Sequence, residues 1–451
     1  MDKLLKAYIE SINGISQTTF DPKGPGVVRI HLVPPAKIKM GIPWLVIING
    51  QDILPLSLGW SILLREFIEE VNKRRMPIVE EEISIIIDST IIRMKKIFPK
   101  TSEKILKEDL RDIIDTFTRI ASGKKPRFDI GYMDLKQYAK RMRAPHRMDL
   151  MISSMVKNNH WHCNNQCLHC YASNQPMAEC EELKTSEWKL IIDKLKEACV
   201  PQITFTGGEP TLREDLVELV KYAEWHVTRL NTNGRRLSLG LCKDLYEANL
   251  DSVQITVYDK DPAIHNLLVG SQGFLETLEG VKNATEAGLN VSINTPLCKL
   301  NKDYVSLVKF FHEECQVKYF TCSSLILTGN AENSYKDTML EQEELIQIIQ
   351  EAYKYAEKND CEIMFTTPGA LPKEVLMSMN MNIPMCGAAS SNMAVAPNGD
   401  VVPCQSWLSE GSLGNLLTDN WKQIWNSKEC KSKRCKNVKE STCPLSKKGV
   451  K

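Results

Sequence analysis

The feature that most constrains this chain is a group of three cysteines with the spacing Cys163-x3-Cys167-x2-Cys170. Three thiolates within eight residues can ligate three irons of a [4Fe–4S] cluster. No fourth cysteine follows at a matching spacing, because Cys180 lies ten residues after Cys170. One iron would then stay open to a ligand that is not protein, which suits chemistry better than electron storage. A zinc knuckle is the alternative, although zinc sites usually show two Cys-x2-Cys or Cys/His pairs.

Length, charge and cysteine content limit the classes of protein to consider. The 451 residues suffice for two or three domains, and a net charge of +1 gives no support for a nucleic-acid or membrane partner. No apolar run approaches the ~20 residues of a membrane helix. The first residues, from Met1 to Lys6, do not resemble a signal peptide, so the fifteen cysteines predict a reducing cytoplasm in which thiolates serve metals. An open iron–sulfur cluster also predicts an anaerobic host.

The middle of the chain, residues 145–370, alternates predicted strands and helices. The predicted strands are 149–155, 202–206, 227–231, 252–257, 289–294 and 318–322. Alternating units of this length indicate an α/β fold with a parallel sheet, right-handed crossovers, and ligands at the carboxyl ends of the strands. Arg147 and Asp149, at the start of the first strand, are expected to form a structural pair at the barrel entrance.

The second predicted strand ends in Gly207-Gly208-Glu209-Pro210. The two glycines let the backbone approach a ligand closely, and Glu209 adds a carboxylate at the top of the sheet. The motif begins 37 residues after Cys170, about one helix and one strand later, as a second βα unit should. An ordinary glycine-rich turn is the alternative.

Taken together, these motifs resemble those of the radical S-adenosylmethionine (SAM) enzymes. In that family the third cysteine is usually preceded by His or an aromatic residue and often followed by Tyr, as His169 and Tyr171 are here. The resemblance implies a partial (β/α)6 TIM-type barrel. It also implies a SAM-binding [4Fe–4S] cluster on the three cysteines and SAM as cofactor.

The resemblance also implies the SAM contacts. The strand end at Gly207, Gly208 and Glu209 would bind the SAM amino group. Thr256 would reach the ribose or the carboxylate. Asn294, on the fifth strand, is a further candidate, although an inward-facing structural asparagine explains it nearly as well, and Tyr171 completes the set.

The tail, residues 385–451, holds five cysteines. It begins Cys386-x12-Gly399-x4-Cys404, with Asn398-Gly399-Asp400 as a turn between short strands, and resembles the SPASM/twitch extension of radical SAM enzymes. The resemblance implies one auxiliary [4Fe–4S] cluster. Its expected ligands are Cys386, Cys404, Cys435 and Cys443, with Cys430 in reserve, and a structural zinc on the same thiolates is the alternative.

The first region, residues 1–144, contains no cysteine and predicts an α+β domain. A strand at 27–33 precedes a hairpin, 44–48 and 51–56, joined by Asn49-Gly50. Helices are predicted at 58–72, 77–97 and 106–121. A three-stranded patch followed by helices resembles the leader-peptide recognition element of ribosomal-peptide maturases, and a helical cap without a ligand is the alternative.

These resemblances lead to one functional hypothesis and two alternatives. The hypothesis is an enzyme that reductively cleaves SAM to a 5′-deoxyadenosyl radical, abstracts hydrogen from a peptide or protein, and so crosslinks or oxidises it. Flavodoxin or ferredoxin is the expected reductant. One alternative is a radical SAM enzyme that acts on a small molecule in cofactor biosynthesis. The other is an iron–sulfur electron-transfer protein.

Overall fold

The computed structural model describes residues 3–12, 14–20, 28–50, 52–74, 78–121, 124–127, 138–439 and 442–447. Val27, Gln51 and Pro77, with which three predicted elements begin, lie outside the described residues. The chain divides into two units, residues 1–144 with 195–201, and residues 145–194 with 202–451. Within the described ranges, no helix combines the length and apolar character needed to cross a membrane.

The first unit has four antiparallel strands that pair in sequence order. The strands are β1 (Ser16–Phe20), β2 (Val28–Val33), β3 (Trp44–Ile48) and β4 (Asp52–Leu56). The helices are α1 (Lys3–Glu10), α2 (Leu58–Val71), α3 (Glu80–Ile97) and α4 (Glu103–Ala121). The predicted hairpin is confirmed, since β3 pairs with β4 and both Asn49 and Gly50 adopt positive φ. The inner faces of β2–β4 and the apolar stripes of α2–α4 share one core.

The three-stranded prediction for this unit was wrong by one strand. Strand β1 reads Ser-Gln-Thr-Thr-Phe and lacks the apolar alternation that marks a strand in sequence, yet it pairs along its whole length with β2. Helix α1 was missed as well, since it has only eight residues.

The second unit is built on one sheet of nine strands. The strands are β5 (Arg147–Ser153), β8 (Gln202–Gly207), β9 (Val227–Thr232), β10 (Ser252–Thr256), β11 (Val291–Pro296), β12 (Tyr319–Ser323), β13 (Glu362–Phe365), β14 (Asn392–Val395) and β15 (Val401–Val402). Their order is β13-β12-β11-β10-β9-β8-β5-β14-β15. A separate small hairpin, β6 (Val156–Lys157) with β7 (His160–Trp161), follows β5.

All six predicted barrel strands are present, and they pair in parallel in sequence order. The α/β fold class with a large parallel sheet is therefore confirmed. The sheet is longer than predicted, because β13 extends it beyond β12 and β14 pairs in parallel with β5 at the other side. Strands β14 and β15 pair antiparallel around Asn398–Asp400, as the tail motif predicted.

Helices follow the strands of this unit along the chain, and the last two of them come after β15. They are α5 (Thr185–Ala198), α6 (Leu216–Tyr222), α7 (Leu239–Glu247), α8 (Pro262–Val269), α9 (Phe274–Glu286), α10 (Tyr304–Cys315), α11 (Ala331–Thr338), α12 (Gln342–Lys358), α13 (Lys373–Ser378), α14 (Trp421–Asn426) and α15 (Lys428–Lys439). Short 3-10 turns occur at Ala139–Arg141, Pro176–Ala178, Pro210–Leu212 and Pro444–Lys447. Alternate strand residues such as Phe205, Leu230 and Ile255 are fully buried apolar side chains. The residues between them are mostly polar and line a central cavity.

Candidate active site

The inner face of the sheet in the second unit lines a cavity of about 420 Å³. Nine side chains or backbone positions that the sequence singled out line it together: Cys163, Cys167, Cys170, Tyr171, Gly207, Gly208, Glu209, Thr256 and Asn294. They come from the loop after β7 and from the carboxyl ends of β8, β10 and β11. A parallel sheet brings such strand ends to one edge, so motifs far apart in sequence share one site.

Backbone carbonyls of the cysteine loop are held by residues that follow later strands. Asn330, after β12, donates from Nδ2 to the Cys167 carbonyl at 3.0 Å and from its backbone N–H to the Cys170 carbonyl at 2.9 Å. Arg235, after β9, donates from Nη1 to the Asn164 carbonyl and to Asn165 Oδ1. Residues that follow β9 and β12 thus both hold the cysteine loop by hydrogen bonds.

Two glycines are required by the close approach of backbones at this mouth. Gly207 has a φ of +144°, and a Cβ there would lie 2.3 Å from the Ser153 carbonyl oxygen. Gly329 has a φ of +61°, and a Cβ there would lie 2.4 Å from the Cys170 carbonyl oxygen. A side chain at either position would displace the backbone that carries the cysteines or the strand end beneath them.

The three thiols lie in a strongly desolvated part of the cavity. Burial, together with the nearby Glu209 carboxylate, raises the pKa of Cys163 to about 12. Burial raises the pKa of Cys167 and of Cys170 as well. Thiolates form at such a place only when bound cations stabilise them, since a coordinating metal deprotonates a thiol.

The donor set fits a cluster with an open iron. Three thiols share one cavity wall, and no cysteine among the described residues joins them as a fourth. His169 Nε2 donates to Thr338 Oγ1 at 2.9 Å, because the Thr338 hydroxyl itself donates to the Ser334 carbonyl. His169 Nδ1, which is buried in the same wall and has no hydrogen-bond partner among the described residues, is then an acceptor for a donor group of a ligand. Across the described part of the chain, no three His, Cys, Asp or Glu side chains are arranged around one metal ion. A [4Fe–4S] cluster distributes its thiolates over separate irons.

Glu209 is a buried carboxylate held by a full set of donors. Its Oε1 accepts from the Thr211 backbone N–H at 3.0 Å and from the hydroxyls of Thr211 and Thr232 at 2.6 Å each. Its Oε2 accepts from the Asn233 backbone N–H at 2.8 Å. Burial nevertheless raises the pKa of Glu209. A carboxylate oxygen can accept more than one hydrogen bond, so Oε2 can take an ammonium group as a further donor.

The barrel wall between the strand ends is more polar than the sequence motifs alone suggested. Asn294 Oδ1 accepts from the Thr321 hydroxyl at 2.9 Å, and Gln254 Nε2 donates to Thr321 Oγ1 at 3.2 Å. The sequence analysis missed Gln254 and Thr321, and it missed Arg229 and Thr204, which line the cavity at the amino ends of the strands. The signal that could have found them is the alternation of polar and apolar residues along each strand.

Arg147 and Asp149 form the expected pair, with Arg147 Nε 2.9 Å from Asp149 Oδ1. They lie at the amino-terminal start of β5, at the end of the strand remote from the cysteine loop.

The tail brings three of its predicted ligands together. Cys386, Cys404 and Cys443 pack in one apolar cluster with Trp407 and Leu445. The buried Trp407 Nε1 has no hydrogen-bond partner there, which fits a nearby sulfide acceptor. The remaining two cysteines lie on α15. Cys435 is exposed, whereas Cys430 is buried and its Sγ accepts from Arg434 Nη2 at 3.3 Å.

A side chain of the cysteine loop reaches the residues that follow Cys404. Tyr171 follows Cys170, is itself a cavity-lining residue, and donates from its hydroxyl to Gln405 Oε1 at 3.4 Å. Gln405 and Ser406, which follow Cys404, also line the cavity. The tail therefore contributes directly to the wall in which a substrate would lie.

Comparison with known proteins gives two domain matches. Residues 162–311 match the model of the Radical SAM superfamily, and residues 386–446 match SPASM, an iron–sulfur cluster-binding domain. Among curated relatives, the chain is 35% identical over 156 residues to Fe-coproporphyrin III synthase of Methanosarcina barkeri, which is 34% of this chain and 39% of that protein. It is 32% identical over 139 residues to a probable GTP 3′,8-cyclase of Thermococcus kodakarensis, which is 30% of this chain and 45% of that protein. The matches thus span less than half of either relative.

The fold extends over nearly the whole of a solved protein. The structure of Streptococcus suis SuiB bound to its precursor peptide SuiA superposes with a TM-score of 0.60 at 15% identity, covering 90% of this chain and 91% of SuiB. SuiB bound to S-adenosylmethionine gives a TM-score of 0.59 at 17% identity and covers the same shares. At this identity the likeness shows a shared fold.

Proposed function

Because the chain contains a radical SAM domain followed by an iron–sulfur cluster-binding SPASM domain, we propose that it is an enzyme that cleaves SAM and modifies a peptide or protein. The observation that carries this proposal is the single cavity shared by the three cysteines, the Gly207–Glu209 strand end and the polar barrel wall. When bound on Cys163, Cys167 and Cys170, the [4Fe–4S] cluster supplies the electron that cleaves SAM to methionine and a 5′-deoxyadenosyl radical, which abstracts hydrogen from the substrate.

The residues of the chain bind and orient SAM at this cluster. Glu209 Oε2, which accepts from the Asn233 backbone N–H, would also accept from the SAM ammonium group, and the absence of a side chain at Gly207 and Gly208 would let the methionine portion approach the strand end. Thr256 and Asn294 supply hydrogen-bonding groups for the ribose or the carboxylate, and Tyr171 closes the wall beside Cys170. The buried apolar side chains behind this wall keep bulk water from the radical.

A second cluster in the tail is part of the proposal. Cys386, Cys404 and Cys443 are the ligands that the packing supports, whereas the exposed Cys435, which the sequence resemblance implies as the fourth ligand, lies outside that packing. Since Gln405 and Ser406 line the cavity, an auxiliary cluster next to them would be positioned to bind substrate or to accept the electron of a product radical. A net oxidation, such as a crosslink in a peptide, would follow.

The substrate class rests on the tail and on the fold. SuiB, which shares the fold over 90% of this chain, was crystallised with its precursor peptide. The four-stranded first unit is a candidate for recognising a leader peptide. We also propose a cytoplasmic, anaerobic setting with flavodoxin or ferredoxin as the reductant, since an open cluster is destroyed by oxygen.

A small-molecule substrate is the second candidate. The curated relatives at 35% and 32% identity are a Fe-coproporphyrin III synthase and a probable GTP 3′,8-cyclase, whose matches span 34% and 30% of this chain. A short cysteine-rich reading frame beside the gene would favour a peptide over a small molecule.

The test is an anaerobic measurement of SAM cleavage. The protein is reconstituted with iron and sulfide, reduced, and mixed with SAM, and 5′-deoxyadenosine is quantified for the wild type, Cys167→Ala and Cys361→Ala. We expect product from the wild type and from Cys361→Ala, whose cysteine lies outside the cavity, and none from Cys167→Ala. A fully loaded cluster whose EPR spectrum does not change with SAM would overturn the proposal in favour of an electron-transfer protein.

A further inference from the structure

The end of the cavity remote from Cys163, Cys167 and Cys170 has a distinct set of side chains, which we call the floor: Arg147, Thr204, Arg229 and Ser252. Thr204, Arg229 and Ser252 stand at paired register positions on β8, β9 and β10, so they share the inner face of the sheet. Arg147 begins β5, whose far end at Ser153 leads to the cysteine loop. At about 3.3 Å per residue, the two ends of β5 are about 20 Å apart.

The charges that line the floor are both positive. Arg147 has 37% of its side chain exposed and is paired with Asp149, whose carboxylate is buried and does not line the cavity. Arg229 lies within electrostatic range of the Asp149 and Asp251 carboxylates and of the Arg147 guanidinium. The Asp251 carboxylate also accepts a hydrogen bond from the Thr228 backbone N–H at 2.7 Å.

The two carboxylates do not fully offset the cost of burying a second guanidinium. Burial, followed by repulsion from Arg147, lowers the pKa of Arg229 to about 10, despite the attraction of Asp251 and Asp149. The cationic form of Arg229 is therefore less stable here than in water. An anion that entered the floor from the cavity would reverse this penalty, whereas a neutral group would leave it in place.

We propose that the floor is a carboxylate subsite, in which Arg147 and Arg229 hold an anionic group of the substrate and Thr204 and Ser252 supply further hydrogen bonds. Guanidinium groups match carboxylate geometry, and such charge-assisted pairs are strong when water is excluded. The carboxylate of SAM is not this ligand, because the proposed function keeps it beside the cysteines. The inference rests on that function, since it assigns a place to its substrate.

The subsite would orient a substrate so that the atom to be modified lies nearer the cysteine end. A carboxylate can come from the end of a peptide chain or from an acidic side chain, and the experiment separates the two. The first pair of probes is acetyl-Ala-Ala and its neutral amide. The second pair is acetyl-Glu-amide and its neutral counterpart acetyl-Gln-amide. Affinities are measured anaerobically by calorimetry on reconstituted protein with SAM bound.

We expect the charged member of at least one pair to bind about 10-fold or more tightly than its neutral partner. Arg229→Gln should remove this preference, and Arg229→Lys, which keeps the charge without the planar fork, should retain part of it. Arg236→Gln, at an exposed arginine outside the cavity, is the matched control and should bind as the wild type does. Circular dichroism of each variant checks that it is folded.

Equal binding of the charged and neutral members of both pairs, including binding too weak to detect, would overturn the subsite. A preference that persists in folded Arg229→Gln would overturn it as well. The result is distinguishable from a failure of the proposed function, because SAM cleavage and the SAM-induced EPR change are read on the wild type. Loss of those signals bears on the chemistry, whereas loss of charge preference bears only on the floor.

Discussion

Replacing Gly329 with alanine tests whether the backbone contact at the barrel mouth holds the cysteine loop. Gly329 has a φ of +61°, and the new Cβ would lie 2.4 Å from the Cys170 carbonyl oxygen and 2.7 Å from that of Tyr171. Since Cβ atoms essentially never approach closer than 3.0 Å, the loop must retreat by about 0.6 Å, the difference between 3.0 and 2.4 Å. Both atoms it meets belong to the backbone, so no flexible side chain can give way.

The expected loss of the free energy of unfolding in Gly329→Ala is the sum of two contributions. Left-handed backbone costs alanine about 1–2 kcal/mol relative to glycine. Overpacking against fixed neighbours adds about 1–3 kcal/mol. Gly411→Ala is the matched control, because its φ is +80° and nothing lies within 4 Å of the added Cβ. We therefore expect Gly411→Ala to lower the free energy of unfolding by the backbone cost alone. Gly329→Ala should lower it by the backbone cost and the overpacking cost together.

The assay combines urea denaturation with iron analysis. The free energy of unfolding is measured for the wild type and both variants, and the iron bound and the EPR signal of the reduced cluster are measured after anaerobic reconstitution. Gly329→Ala should also lose cluster from the cysteine motif, since Cys170 is displaced, and Gly411→Ala should not. If the two variants lose equal stability and bind equal iron, the contact with the loop has no role in holding it.

Three further changes test other parts of the structure. Glu209→Gln should weaken SAM binding about 10- to 100-fold, because the ammonium group loses a charge-assisted partner and the amide NH2 opposes a donor. His265→Gln should reduce the loss of the free energy of unfolding at acid pH. Burial lowers the pKa of His265 to about 4 from 6.5, so the neutral ring favours the fold, and stability is lost as pH falls from about 6.5 through about 4, by about 3 kcal/mol in total. Cys386→Ser should lose the iron of the auxiliary cluster, whereas Cys435→Ser should retain it, because only Cys386 packs with the other tail thiols.

Each of these changes has a control or a contrary result. For SAM affinity the control is Glu218→Gln, an exposed carboxylate on α6, and equal affinity of both variants would contradict the role of Glu209. For acid stability, an unchanged slope of the free energy of unfolding between pH 4 and 6.5 would show that His265 is not the titrating group. For the tail, equal iron loss in both serine variants would restore Cys435 to the ligand set.

The barrel could be predicted from sequence because each strand can be recognised from its own residues and from the elements that flank it. Runs such as Gln202–Gly207 are bounded by helices of regular length, and a parallel sheet then follows from connectivity. Strand β13 was missed because it has only four residues, and β1 was missed because its sequence lacks apolar alternation. Both strands are stabilised by pairing with a neighbouring strand, and that pairing cannot be read from a single sequence.

Some residues of the candidate site could be predicted from sequence and others could not. The cysteines and Gly207–Glu209 could be predicted since each is a compact motif, and the cavity contains them all. Arg229 could not, because its role depends on register with Thr204 and Ser252 on neighbouring strands.

The anchoring of the cysteine loop by Asn330 also sets an order of assembly. Asn330 lies 163 residues after Cys167, and it follows the last predicted strand of the barrel. During synthesis the cysteines leave the ribosome long before the side chain that will fix them. The loop cannot acquire its final shape until β12 has paired, and contacts of such sequence separation form slowly. Iron insertion at the motif is therefore a late event, which follows completion of the barrel and does not template it.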